Sequence, residues 1–143
     1  MIDPTIEPSI FSFPIRVYWE DTDAGGIVYY ANYLKFFERA RSEWLRQLGI
    51  EQGTLLENEG CMFVVSEIKT KFYRPARIDN LLLVSVQIKQ VGHASISLHQ
   101  TAILKDSTND GLLVCEGTVR LACVQQTTMR PVAIPKTIVS LLP

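Results

Sequence analysis

Apolar residues change their spacing twice along the chain, and the changes mark out its elements. Residues 1–13 carry no regular pattern, because Pro4, Pro8 and Pro14 interrupt it, and they predict an irregular arm. A short β-type run follows at Ile15–Glu20. From about Ala31 the apolar positions recur every three or four residues: Tyr33, Phe37, Ala40, Trp44 and Leu48, with Leu34 and Leu45 widening the stripe. Lys35, Arg39, Ser42, Glu43 and Arg46 fall off that stripe, and Gly49 is a natural stop. The spacing predicts one long amphipathic helix.

Beyond the helix the pattern becomes that of strands. Four runs are rich in β-formers: Met62–Tyr73, Leu81–Gln90, Ala94–Lys105 and Leu112–Val124. The first alternates in part, with Val64, Ile68 and Phe72 set against Lys69 and Lys71. Gly92 breaks the second run from the third, and S-T-N-D-G at Ser107–Gly111 predicts a hairpin turn before the fourth. Pro131 and Pro135 precede a short apolar tail. One strand, one long helix and four antiparallel strands predict an α+β domain over residues 14–143, with a helix layer packed on a sheet layer. Strands this long leave long edges, so pairing of edges between two copies is expected.

Composition narrows the class. The chain has 143 residues, enough for one substantial core, with 47% apolar and 20% charged residues. Fourteen basic residues against fifteen acidic ones leave a formal charge of −1, which argues against nucleic acid as a partner over the whole surface. Cys61, Cys115 and Cys123 are odd in number and fit no C-x-x-C spacing, which predicts a reducing, cytoplasmic compartment. With His93 and His99 they complete no zinc set, so no metal or other cofactor is expected. The opening M-I-D-P-T-I-E-P-S-I-F has no basic start. No later stretch approaches the ~20 apolar residues of a membrane span, and neither a signal peptide nor a span is expected.

The densest chemistry lies between the first strand and the helix, in W-E-D-T-D-A-G-G-I-V-Y-Y-A-N-Y, Trp19 to Tyr33. Three acids crowd against two glycines where a helix is about to begin. Unpaired N–H groups and the macrodipole make a helix start favourable for an oxyanion, and Gly25 and Gly26 would let a ligand approach the backbone. Asp23 would then stand beside the electrophile as nucleophile or base. Capping and loop-making explain the same residues more simply, since Asp and Gly are common at helix starts for purely structural reasons, and the physics of the segment alone favours that reading.

The longer run V-Y-W-E-D-T-D-A-G-G-I-V-Y-Y-A-N-Y-L-K-F-F-E-R-A-R closely resembles the start of hotdog-fold acyl-CoA thioesterases of the 4-hydroxybenzoyl-CoA thioesterase type, in particular the YbgC branch associated with the Tol-Pal system. M-F-V-V, K-F-Y-R-P-A-R-I-D-N and M-R-P-V-A-I-P-K resemble further segments of that branch, so the likeness runs from about Phe13 to the C-terminus. It implies a single hotdog fold, a long helix wrapped by an antiparallel sheet. It also implies a homo-oligomer, dimer or dimer of dimers, with active sites between subunits and acyl-CoA as substrate. Carried over residue by residue, the catalytic carboxylate falls on Asp23, with Asp21 in support, and the oxyanion-binding N–H at or near Tyr30. Trp19, Gly26, Ile27 and Tyr33 fall around the substrate, with Phe36 near them.

Two positions depart from the branch. Relatives commonly have histidine where this chain has Tyr30, and often tyrosine where it has Trp19. A phenol is a poor base at neutral pH and a good hydrogen-bond donor, so an aspartate mechanism with a backbone oxyanion hole survives while one needing imidazole does not. For the phosphates of CoA, K-T-K-F-Y-R-P-A-R offers Lys69, Lys71, Arg74 and Arg77, and the turn at Gly92 offers His93. Basic residues along a strand more often form only a solvated face. The missing histidine also favours an alternative, a non-catalytic hotdog scaffold that binds acyl-CoA or acyl carrier protein in envelope phospholipid metabolism.

Overall fold

The computed structural model describes residues 10–105 and 111–143. Their elements are β1 (Phe11–Arg16), a single 3-10 turn at Trp19–Asp21, α1 (Asn32–Gln47), α2 (Gln52–Glu59), β2 (Cys61–Phe72), β3 (Leu81–Val91), β4 (Ser95–Leu104), β5 (Leu112–Gln125) and α3 (Lys136–Val139). The five strands form one antiparallel sheet in the order β1-β3-β4-β5-β2. The α+β expectation is borne out.

β1 corrects the reading of the N-terminal region. It begins at Phe11 and carries Pro14 within it, opposite Leu83 of β3. A proline in mid-pattern argues for irregular chain, yet β1 is an edge strand. An edge strand has one side on which a missing N–H costs nothing. The run expected to continue to Glu20 stops at Arg16, and Trp19–Asp21 coils into the 3-10 turn instead. At the β4–β5 connection, residues 106–110 lie outside the described chain. The strands flanking them pair as expected, Leu104 opposite Leu112, and Gly111 (φ +90°) donates its N–H to the Leu104 carbonyl at 3.0 Å.

α1 lies on the sheet through Tyr33, Phe36, Phe37, Ala40, Arg41, Trp44 and Leu45, all buried. The buried face is thus rotated slightly from the apolar stripe: Leu34 is exposed, while Phe36 and Arg41 go in. Gln100 on β4 explains the arginine. Wholly buried, its Nε2 donates to the Phe37 carbonyl at 3.1 Å and the Ser85 carbonyl at 3.2 Å. Its Oε1 accepts from Arg41 Nη1 at 2.9 Å, and Arg41 Nη2 reaches Glu38 at 2.5 Å. Burial lowers the guanidinium pKa while Glu38 opposes that shift. Beside this bolt, a Cβ on Gly117 of β5 would come within 3.0 Å of the Phe37 ring and 3.1 Å of the Lys69 carbonyl. Only glycine lets the helix come this close.

Candidate active site

Asp21 and Asp23 leave the 3-10 turn in opposite directions. The Asp21 side chain turns inward, 6% exposed, and its Oδ2 accepts the Tyr18 N–H at 2.8 Å. Its carbonyl accepts the Tyr29 N–H at 3.0 Å and Asn32 Nδ2 at 2.8 Å, which ties the turn to the first residue of α1. Asp23 faces solvent. Its backbone opens a small loop in which the Asp23 N–H donates to the Ile27 carbonyl (2.9 Å) and Thr22 bridges Val28. The Gly26 N–H donates to the Asp23 carbonyl (3.0 Å), and Gly26 has φ +78°, a conformation only glycine adopts freely. The Gly25 N–H donates to Asp23 Oδ1 at 2.9 Å and aims the carboxylate.

The chain from Asp21 returns to the helix start at once. Asn32, Tyr33 and Leu34 donate their N–H groups to the carbonyls of Tyr29, Tyr30 and Ala31 in tight i to i+3 steps. The N–H groups of Tyr30 and Ala31 meet no acceptor among the described residues. Donors without acceptors at the positive end of a 16-residue helix, close in sequence to an exposed carboxylate, can stabilise an oxyanion while the carboxylate or a water attacks.

A second loop braces the first. The Val28 N–H donates to the Ala76 carbonyl (2.9 Å), Ile27 bridges Arg77, and the Ala76 N–H donates to the Tyr33 hydroxyl (3.1 Å). Between the loops lies a hollow of ≈ 460 Å³ lined by Trp19, Thr22, Asp23, Ala24, Gly26 and Ile78. Trp19 is 81% exposed.

The expected site residues divide accordingly. Asp23, Trp19 and Gly26 share the hollow, and Ile27 holds the loop. Tyr30, 62% exposed, packs its ring on Tyr29 (centroids 4.9 Å apart) and on Phe72 at the end of β2 (6.3 Å). The neighbouring Tyr30 phenol pushes the Tyr29 pKa up. Tyr33 is buried, with its ring 5.7 Å from Phe72 and 5.9 Å from Phe36.

Lys69 and Lys71 are elsewhere. Alternation along β2 puts Thr70 with Gly117 on the helix side, so both lysines point to the outer face of the sheet. There they border a hollow of ≈ 450 Å³ with Lys89, His99 and Glu116. Glu116 accepts from the Tyr73 hydroxyl and lies 3.3 Å from His99 Nε2; these two bonds hold its carboxyl below the usual range. Lys69 pairs with Glu67 at 3.4 Å, an exposed contact of little energetic weight. Arg74 stands exposed where β2 leaves the sheet. His93 is at the far end of β3 from Leu81, which neighbours the Asp23 loops; at about 3.3 Å per residue an 11-residue strand separates its ends by roughly 30 Å or more. One protomer therefore does not bring His93 to Asp23. Sequence reasoning passed over Ile78, although it lies inside the R-P-A-R-I-D-N segment, because nothing local says it faces Asp23.

Residues 17–142 match the thioesterase-like superfamily. The chain belongs to that family. It is 46% identical to the acyl-CoA thioesterase YbgC of Haemophilus influenzae over 88% of this chain and 89% of that protein. A probable thioesterase from Bartonella henselae has the same fold, with a TM-score of 0.81, 35% identity, and coverage of 89% of this chain and 100% of that one. A crystal structure of 4-hydroxybenzoyl CoA thioesterase superposes with a TM-score of 0.87 over 94% of this chain and 99% of that one; its 17% identity speaks for the fold alone. The resemblance read from the D-T-D-A-G-G segment is borne out, and with it the hotdog fold and the reading of the chain as a thioesterase. The match begins at Val17, so the loop of Asp23 and the whole of α1 lie within it.

Proposed function

We propose that this protein hydrolyses acyl-CoA thioesters to free acid and CoA, with Asp23 as the catalytic carboxylate and the N–H groups at Tyr30 and Ala31 as the oxyanion hole. One observation carries the reading: an exposed carboxylate, aimed by the Gly25 N–H, precedes a helix start whose N–H groups have no acceptor among the described residues. The YbgC-type relatives support the choice of substrate. Two routes share this geometry. Asp23 adds to the thioester carbonyl, expelling the CoA thiolate and leaving an anhydride that water opens; or it takes a proton from water, whose oxygen adds before the thiolate leaves. In both, the carbonyl oxygen gains charge facing the helix start. Acyl-CoA binds between subunits of a homo-oligomer in this reading. The exposure of Trp19 and Tyr30 and the distance of His93 within one protomer support that placement.

Thiol release from acyl-CoAs tests the proposal. Asp23→Asn and Asp23→Ala are expected to lower kcat by about 10²–10⁴-fold, the usual share of a positioned acid or base. Wild-type turnover in either variant would remove Asp23 from the mechanism. Tyr30 in the place of a histidine favours the second reading, an acyl-CoA or acyl-carrier-protein scaffold; binding without thiol release across a panel of acyl-CoAs would establish it.

A further inference from the structure

Ile78 lies on the loop between β2 and β3, 37% exposed, at the hollow that Asp23 lines. The loop holds its position through many bonds. The Arg77 N–H donates to Asn80 Oδ1 (2.8 Å) and the Asn80 N–H to the Arg77 carbonyl (3.1 Å). The Asp79 N–H donates to the Val17 carbonyl, and the Val17 N–H to the Asn80 carbonyl, both at 2.9 Å. Arg16 Nη1 donates to the Asp79 carbonyl at 2.7 Å. Asp79 itself sits at φ +69°, a region that costs a non-glycine residue ~1 kcal/mol or more and persists only where the surroundings impose it. An apolar side chain is thus held half in water beside a candidate catalytic group, opposite an indole more exposed still.

The remaining lining groups offer little polar recognition. Thr22 spends its hydroxyl proton on the Trp19 carbonyl at 2.8 Å, Ala24 and Gly26 have no polar side chain, and Asp23 carries the only charge. We infer that Ile78 is a specificity-determining residue: with Trp19 it forms the apolar sides of the Asp23 hollow, which takes the hydrocarbon of the acyl group. This rests on the thioesterase reading of Asp23. Such a hollow sorts substrates by shape and methylene count, through contacts of modest size, and leaves the chemical step alone.

The experiment measures thiol release from straight-chain acyl-CoAs of increasing length and from benzoyl-CoA, with wild type, Ile78→Ala, Ile78→Leu, Trp19→Ala and Asp23→Asn. Ile78→Ala is expected to raise KM about 10-fold for the preferred wild-type substrate, from the loss of a few methyl or methylene contacts. It should move the optimum towards longer chains and hold kcat within about two-fold, because Ile78 touches no reacting atom. Ile78→Leu, which restores the volume, should return KM and the wild-type order, and Trp19→Ala should shift the order as well. An unchanged order in Ile78→Ala overturns the inference. So does an equal rise in KM for every acyl group, which would mean that Ile78 meets the pantetheine arm common to all of them. The underlying reading fails separately: a wild type that releases no thiol is no thioesterase, turnover retained in Asp23→Asn removes Asp23 from the mechanism, and in either case the inference falls with it.

Discussion

A single residue, Thr22, separates Asp21 from Asp23, and burial assigns the two acids different work. Asp21 uses an oxygen on the Tyr18 N–H and its carbonyl on the helix start, so it builds the loop; Asp23 stays in solvent with its carboxylate aimed. Tyr30 enters the proposed mechanism through its backbone N–H. Its ring is exposed and packs on Tyr29, so Tyr30→Phe should keep kcat within about two-fold, since the N–H proposed to meet the oxyanion remains. A loss of 100-fold or so would give the hydroxyl a catalytic part. The cysteines make a different prediction. All three are free and buried; burial pushes the Cys115 thiol from 9.0 up to about 12, and Cys123 likewise reaches about 12, pushed by burial and by the neighbouring Cys61 thiol. A raised folded pKa means that the native thiol keeps its proton while the unfolded one loses it. The stabilisation is complete below pH 9.0 and is lost as pH rises towards about 12. Urea midpoints should fall across that window, and less steeply in Cys115→Ala.

Between elements, the bond from Gln100 to the Phe37 carbonyl fixes α1 on the sheet about one and a half turns from its N-terminus, the end that carries the candidate oxyanion site. Gln100→Leu keeps the bulk and strands the buried Arg41 with Glu38 alone, and should destabilise the fold by about 2 kcal/mol in urea denaturation. Adding Arg41→Leu should recover part of that loss, because no buried charge is then left unpaired. Equal stability of Gln100→Leu and wild type would mean that the pair contributes nothing net. The stripe of α1 was legible in the sequence because Phe37, Ala40 and Trp44 keep the 3.6-residue period. Arg41 was not, since its burial depends on a glutamine 59 residues away.

Over the whole molecule, the sheet ends in β1 on one side and β2 on the other, and 12-residue β2 is the long edge. Its bulge between Val65 and Glu67 interrupts it only once, and Val65 and Phe72 are exposed along it. Edge pairing between copies would cover both and complete the acyl-CoA site. Sedimentation equilibrium should give a dimer or a dimer of dimers, and a monomer at all concentrations would remove the subunit-interface reading. The sequence by itself determined the helix, the four long strands and the family. Each of these rests on periodicity or on an unbroken motif, and both are local. Tertiary structure decided what distant segments do to one another. It pinned Ile78 beside Asp23 through hydrogen bonds to Val17 and Arg16, and it turned Lys69 and Lys71 to the outer face by the pleat of β2. It also placed His93 at the opposite end of β3. A contact across 55 residues leaves no period in a chain, because its energy is set by where the sheet brings the two segments and not by their spacing.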